Sequence, residues 1–276
     1  MLTQPLDFAV RVAQKFHADR LLRHAAALSF SSLLALAPML AIGFAMLSLF
    51  SGLEASGAEL EQFIFRFLEP AAGDGVREYL NQFAADAGRL TLIGLALFLV
   101  TALLLLNTIE QSFNDIWGVR EGRSITQRLT VYWTMVTLGP LLMGASLSIS
   151  TYVLTSSVLE AFELGTQVRS AGLTLLPFLF QMMAFALLYL FMPNVKVSFK
   201  HGLAGALVAT ILFEISKRLF GFYIVNFNNY EVVYGALASL PIFLIWVFLS
   251  WAVTLIGAEV VSVLQQQAQE LKREEE

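Results

Sequence analysis

Cysteine is absent from this sequence, and charged residues are scarce. Only 14% of the 276 residues are charged and 57% are hydrophobic, whereas soluble globular domains carry about a quarter charged residues. Without cysteine, the chain has no disulfide framework, no thiolate zinc site and no cysteine nucleophile. So much apolar side chain with so little charge, at a mean hydropathy of +0.71, predicts an integral membrane protein surrounded by lipid.

Signatures of nucleic-acid binding and of catalysis are also missing. The net charge of −4 argues against a nucleic-acid partner, which requires a basic face. The sequence has no Walker A loop, no H-E-x-x-H motif and no G-x-S-x-G elbow. Its three histidines, His17, His24 and His201, lie outside the long apolar segments, which leaves those segments without a histidine base. We therefore predict no enzymatic activity, no metal site and no cofactor.

Six apolar segments are long enough to cross a bilayer, because about 20 helical residues span roughly 30 Å of hydrocarbon. Each must be helical, since an open strand edge leaves unpaired backbone groups in lipid. The predicted fold class is therefore all-α: one membrane domain, residues 1–276, built as a polytopic bundle of six transmembrane helices. The predicted spans are approximately residues 25–51, 89–107, 131–156, 170–192, 202–225 and 236–262.

Lysine and arginine are unevenly divided between the two ends of these spans. Eleven lie in the N-terminal segment, the 108–130 and 193–201 loops and the tail, whereas four lie on the opposite side and two inside the fifth span. By the positive-inside rule the richer side is cytoplasmic. This bias predicts that both termini are in the cytoplasm.

Segments outside the spans are amphipathic. In residues 1–24, apolar side chains recur at helical spacing on one face and basic side chains lie on the opposite face. This pattern predicts an amphipathic cytoplasmic helix that lies along anionic headgroups. The 52–88 loop, on the predicted periplasmic side, has seven acidic residues and two apolar runs of helical period. It predicts two short helices, which are either connectors or have a role in substrate capture. Residues 263–276 form the predicted cytoplasmic tail.

Three charges, Glu214, Lys217 and Arg218, lie inside the fifth predicted span. At spacings of three and four residues, both cations can reach the carboxylate on one helical face, leaving one surplus positive charge. Either the three face a water-filled cavity and line a path for an anionic substrate, or the cations extend to the outer headgroups. Close packing of this helix is predicted by the small residues that open it, Gly202, Gly205, Ala206 and Ala209.

A second polar stripe follows the second span, where Asn107, Glu110 and Asn114 share one helical face. It forms either a gate or inner binding surface, or interhelical hydrogen bonds at the membrane edge, and the second interpretation is favoured. Glu259, near the inner end of the sixth span, has two equal interpretations. It is either the partner of a basic residue across the bundle or an interfacial residue.

Four stretches, taken together and in order, resemble one bacterial family. They read AALSFSSLLALAPML, NTIEQSFNDIWGVREGRS, FMPNVKVSFKHGLAGALVATILFEISKRLFGFYI and NYEVVYGALASLPIFLIWVFLSWAVTLIGAEV, at residues 26–40, 107–124, 191–224 and 229–260. They are similar to the YihY/BrkB family of bacterial inner-membrane proteins, and the similarity covers essentially all six predicted spans. The M-P-N motif of the family falls on Met192–Asn194, and its E-x-x-K pair falls on Glu214 and Lys217.

This resemblance implies a multi-pass protein of the bacterial inner membrane, in a family linked to envelope functions, virulence-related resistance and export of lipid or solute. The former family label, ribonuclease BN, finds no support in a sequence without a basic nucleic-acid surface or a metal-binding cluster. The resemblance supplies no catalytic residues and no oligomeric state.

Two functions stay open. The first is a transporter or exporter of an anionic lipid or organic solute, not driven by ATP, with Glu214, Lys217 and Arg218 lining its path. The second is a non-transporting structural or assembly factor of the envelope, whose acidic outer loop binds a partner. A membrane enzyme is the least favoured class.

Overall fold

A computed structural model of the protein describes residues 5–48, 92–120, 122–134, 137, 166–226 and 239–275. Within these ranges the chain forms seven α-helices and no strand, which confirms the all-α fold class. In chain order the helices are α1 (Pro5–Ala18), α2 (Leu21–Ser48), α3 (Leu92–Ile116), α4 (125–134), α5 (Thr166–Phe191), α6 (Phe199–Asn226) and α7 (Ser239–Glu275).

The local sequence explains where some of these helices begin and end. Pro5 opens α1, where its fixed φ suits the first turn and its missing N–H leaves no bond unmade. Arg20 turns the chain from α1 into α2 with a φ of 52°, a left-handed conformation that is uncommon outside glycine. Gly118 caps α3 with a φ of 66°, and its N–H lies 3.0 Å from the Asp115 carbonyl oxygen. These turns determine where α2 begins and where α3 ends. The two helices pack against each other.

Helix α7 lies at the centre of the described helices, because it packs against α1, α2, α3, α5 and α6. Small residues permit its close contact with α6. A Cβ placed on Gly205 of α6 would overlap Val261 and the carbonyl oxygen of Gly257 in α7. The small residues at the start of α6 therefore serve close helix packing, as the sequence predicted.

Length and composition make part of α7 a candidate membrane span. Among the described residues, Leu240–Glu274 is the one helix long and apolar enough to cross a bilayer, and shorter apolar helices lie at Leu21–Leu36 and Pro177–Phe191. The count of six spans therefore stays a prediction. Helix α3 continues past residue 107 to Ile116, and α7 takes up most of the predicted tail. The predicted 52–88 helices and most of the 131–156 span lie outside the described residues.

Candidate functional site

The first candidate site, here called the α6 charge trio, consists of Glu214, Lys217 and Arg218. The structure places Lys217 Nζ 2.5 Å from Glu214 Oε1, an ion pair between positions i and i+3. The same ammonium lies 5.8 Å from the centroid of the Phe213 ring, within range of a cation–π interaction. In the part of the chain that the structure describes, the ion-pair and cation–π partners of Glu214 and Lys217 therefore lie on α6 itself.

The α6 charge trio lies where the buried face of α6 meets its exposed face. The side chains of Glu214 and Lys217 are 34% and 29% exposed, and Arg218 is exposed. Phe213 belongs to the buried face, next to the trio. A Cβ placed on Gly221, one turn further along, would meet none of the described residues within 4 Å. Since Glu214 and Lys217 neutralise each other, the surplus positive charge of the trio is carried by Arg218 on the exposed side.

The second candidate site is centred on Glu110 of α3, whose side chain is 1% exposed. Its Oε2 accepts a hydrogen bond of 2.7 Å from the Tyr132 hydroxyl and lies 3.2 Å from Arg128 Nε, both on α4. These three residues are here called the Glu110 cluster. Burial lowers the pKa of Arg123, in the turn before α4, and the neighbouring Glu110 carboxylate acts in the opposite direction. The cluster joins α3 to α4, because a buried carboxylate requires a cation and hydrogen-bond donors.

The polar stripe of α3 also holds the turn that follows α5. Asn114 Oδ1 accepts a hydrogen bond of 2.8 Å from the backbone N–H of Asn194. Arg123 Nη2 donates to the carbonyl oxygens of Phe191 and Pro193, both at 2.7 Å. The M-P-N motif is therefore a turn that is fixed by α3 and by the segment after it. These are contacts between separate elements, as the hydrogen-bonding interpretation of the stripe requires.

Glu259 of α7 forms a third polar cluster with Lys15 of α1. The Glu259 side chain is fully buried, and its Oε2 lies 3.1 Å from Lys15 Nζ. Lys15 also donates to the Ile116 carbonyl oxygen at 2.6 Å and to the Asp19 carboxylate at 2.5 Å. Of the two interpretations of Glu259, the structure therefore supports a partnership with a basic residue across the bundle. Lys15 ties α1 both to α7 and to the C-terminal end of α3.

The sequence did not identify the partners of the two buried carboxylates. Lys15 is 244 positions from Glu259 in the chain, and Tyr132 is 22 positions from Glu110. A buried carboxylate requires a cationic partner, so the sequence predicts that one exists. It does not predict which lysine or arginine supplies the charge. Among the described residues, no three His, Asp or Glu side chains are grouped so that they can hold a metal ion.

Helices packed around α7, with large apolar side chains exposed along α3, α4 and α6, are the features of a helical membrane protein. The family comparison agrees with this class. Residues 12–276 match the model of the family described as Virulence factor BrkB. The chain belongs to this family, which confirms the resemblance found in its sequence.

Relatives from several bacteria carry the name UPF0761 membrane protein. The chain is 43% identical over 262 residues to that of Alkalilimnicola ehrlichii, covering 94% of this chain and 58% of the relative. It is 40% identical to the relative from Pseudomonas paraeruginosa, covering 93% of this chain and 62% of that relative. It is also 40% identical to the relative from Aeromonas salmonicida, covering 93% of this chain and 88% of that relative. The chain thus spans less than two thirds of the length of the first two relatives. Their names support a membrane location, and no solved structure matches the chain.

Proposed function

We propose that the protein is a six-span protein of the bacterial inner membrane, with both termini cytoplasmic, that moves an anionic lipid or organic solute without ATP. The α6 charge trio would line the path of the substrate. The membrane location of the relatives and the uneven division of lysine and arginine support the placement in the membrane. The missing Walker A loop supports transport that is not driven by ATP hydrolysis in this chain.

The observation that carries this proposal is the difference between the α6 charge trio and the buried carboxylates. A charge at the centre of a span costs roughly 3 kcal/mol on insertion scales. Glu110 and Glu259 bind cations on other helices and so contribute to packing. Within the described residues, the ion-pair and cation–π partners of Glu214 and Lys217 lie on α6 itself, so this ion pair does not link α6 to a second helix. Binding of a substrate is a reason to keep such charges, and the surplus charge of Arg218 favours an anion.

Flux into and out of proteoliposomes tests the proposal. One probe is phosphatidylglycerol with a fluorescent NBD headgroup label, whose exposure is followed by dithionite quenching, and the other is carboxyfluorescein, an organic anion. We expect Arg218→Ala to slow the flux of at least one probe about tenfold or more, because hydrogen bonds to charged groups contribute roughly 1.5–3 kcal/mol. Glu214→Gln, which leaves Lys217 without its partner, should also change the rate.

The matched control is Lys200→Ala, which removes an exposed cation from the first turn of the same helix and should leave the flux unchanged. Normal flux in Arg218→Ala and Glu214→Gln, with unchanged thermal stability, would show that the trio does not line the path of the substrate. Absence of flux of both probes in the wild-type protein would favour the non-transporting envelope factor. In that case, deletion of residues 54–87 should abolish binding of the partner.

A further inference from the structure

A groove of about 320 Å³ lies between α3 and α4, beside the Glu110 cluster. Most of its wall is apolar, with Val100, Leu103 and Leu104 on α3 and Ile125 and Leu129 on α4. The volume falls at the lower end of the range found for ligand pockets, roughly 300–1,000 Å³. The groove is therefore large enough to hold part of an elongated apolar ligand.

The apolar wall of the groove is open to its surroundings. The side chains of Leu104 and Leu129 are 58% and 63% exposed, and Ile125 is 84% exposed. Apolar surface of this kind is unfavourable in water but is readily covered by hydrocarbon in a bilayer. In a membrane protein, the occupant that matches this wall is an acyl chain.

The other side of the groove is polar and carries a cation. Arg128 lines it, and its side chain remains 36% exposed although its Nε faces Glu110. Asn107 and Tyr132 complete the polar lining. The exposed part of the Arg128 side chain is therefore available to donate charge-assisted hydrogen bonds, which favours an anionic headgroup over a zwitterionic one that carries its own cation.

We propose that this groove binds an anionic phospholipid, with one acyl chain between α3 and α4 and the headgroup phosphate on Arg128. A single amphiphile satisfies both parts of the groove, since its chain covers the apolar wall and its phosphate meets the exposed part of Arg128. The proposed orientation places the arginines of residues 108–130 on the cytoplasmic side, so the lipid belongs to the cytoplasmic leaflet. The groove lies on helices other than α6, and the proposal requires membrane placement but no transport.

Native mass spectrometry of the full chain in detergent tests the proposal, with phosphatidylglycerol and phosphatidylcholine of identical acyl chains as probes. For the wild-type protein we expect one site that binds phosphatidylglycerol about tenfold more tightly than phosphatidylcholine. Leu104→Trp fills the groove from an exposed position and should abolish that site. Leu129→Trp fills it from the opposite wall and serves if the first variant does not fold.

The charge is tested by the double variant Glu110→Gln/Arg128→Gln, because Arg128→Gln alone would leave Glu110 buried without its cation. The double variant should reduce the preference for phosphatidylglycerol to within about twofold, while acyl chains still bind. Two matched controls should keep the wild-type site: Leu207→Trp on the exposed face of α6, and Lys200→Gln, which removes an exposed cation elsewhere.

Three results would overturn the proposal. The first is unchanged phosphatidylglycerol binding in a folded Leu104→Trp or Leu129→Trp. The second is a loss of preference in Lys200→Gln as large as in the double variant, which would indicate general surface charge. The third is a change from dimer to monomer in Leu104→Trp, which would indicate that a second copy fills the groove. Arg218→Ala should keep the tight site even where it loses flux, so this proposal and the proposed function can fail separately.

Discussion

Breaking the ion pair between Lys15 and Glu259 should destabilise the protein far more than breaking the pair between Arg11 and Glu270. Both pairs join α1 to α7, and both have nitrogen–oxygen distances of 3.1 Å. They differ in burial, since the side chains are 18% and 0% exposed in the first pair and 47% and 61% exposed in the second. The comparison therefore sets a buried pair against an exposed pair at one helix–helix interface.

The magnitude follows from what each substitution leaves behind. Lys15→Met leaves the buried Glu259 carboxylate without its cationic partner. It also removes the hydrogen bonds of Lys15 to Asp19 and to the Ile116 carbonyl oxygen. Losing one partner of a buried pair costs roughly 3–5 kcal/mol, whereas an exposed pair contributes roughly 0.2–1 kcal/mol. A loss of about 3 kcal/mol corresponds to a decrease in Tm of roughly 6–12 °C, on the scale known for domains slightly smaller than this chain.

Thermal unfolding of the purified protein in detergent, followed by tryptophan fluorescence, measures these differences. Arg11→Met is the matched control and should lower Tm by no more than about a quarter of the effect of Lys15→Met. The double variant Lys15→Met/Glu259→Gln should recover part of the loss, with a coupling free energy of about 1–3 kcal/mol. Equal decreases in Tm for Lys15→Met and Arg11→Met would refute the reasoning, because burial would then have no effect on how much the ion pair contributes to stability.

Two further predictions concern helix packing and topology. Gly205→Ala should lower the free energy of unfolding by about 1–3 kcal/mol, because its Cβ overlaps α7. Gly221→Ala, whose Cβ meets no described residue within 4 Å, should not destabilise the protein in the same thermal assay. Because the chain has no cysteine, Glu61→Cys and Glu275→Cys can each be labelled with a membrane-impermeant thiol reagent on intact cells. We expect labelling of Glu61→Cys only, and labelling of Glu275→Cys would contradict a cytoplasmic C-terminus.

Local signals made the helical class and parts of the packing predictable from the sequence. Long apolar runs require helices in lipid, and the small residues around Gly205 mark a close helix contact wherever it is made. The helix boundaries were harder to predict. Residues 1–24 read as one amphipathic helix, but Arg20 adopts a left-handed φ and separates α1 from α2. Such a turn is hard to predict from the sequence, since arginine is a good helix former and rarely adopts a left-handed φ.

Contacts between helices were beyond the reach of the sequence alone. The spacing of Glu214, Lys217 and Arg218 identified the possible partners in α6, and the structure pairs Glu214 with Lys217, because the neighbours of a local pair are fixed by helical geometry. For Glu259 the approximate depth in the span was predictable from the sequence, but its partner depends on where α1 packs. The depth of a residue in the membrane follows from its position along one helix. Its ion-pair partner depends on the rotation and position of two helices.

The distribution of ionic contacts bears on how the proposed transport would work. Lys15 joins α1, α3 and α7 at one end of the described helices, and the close approach of α6 to α7 lies at Gly205, early in α6. Among the described residues, nothing lies within 4 Å of a Cβ placed on Gly221, three residues beyond Arg218. Under the proposed function, a substrate could therefore pass Arg218 while the end tied by Lys15 stays closed. This arrangement requires separable effects: substitution of Lys15 should lower stability, whereas substitution of Arg218 should lower flux and leave Tm unchanged.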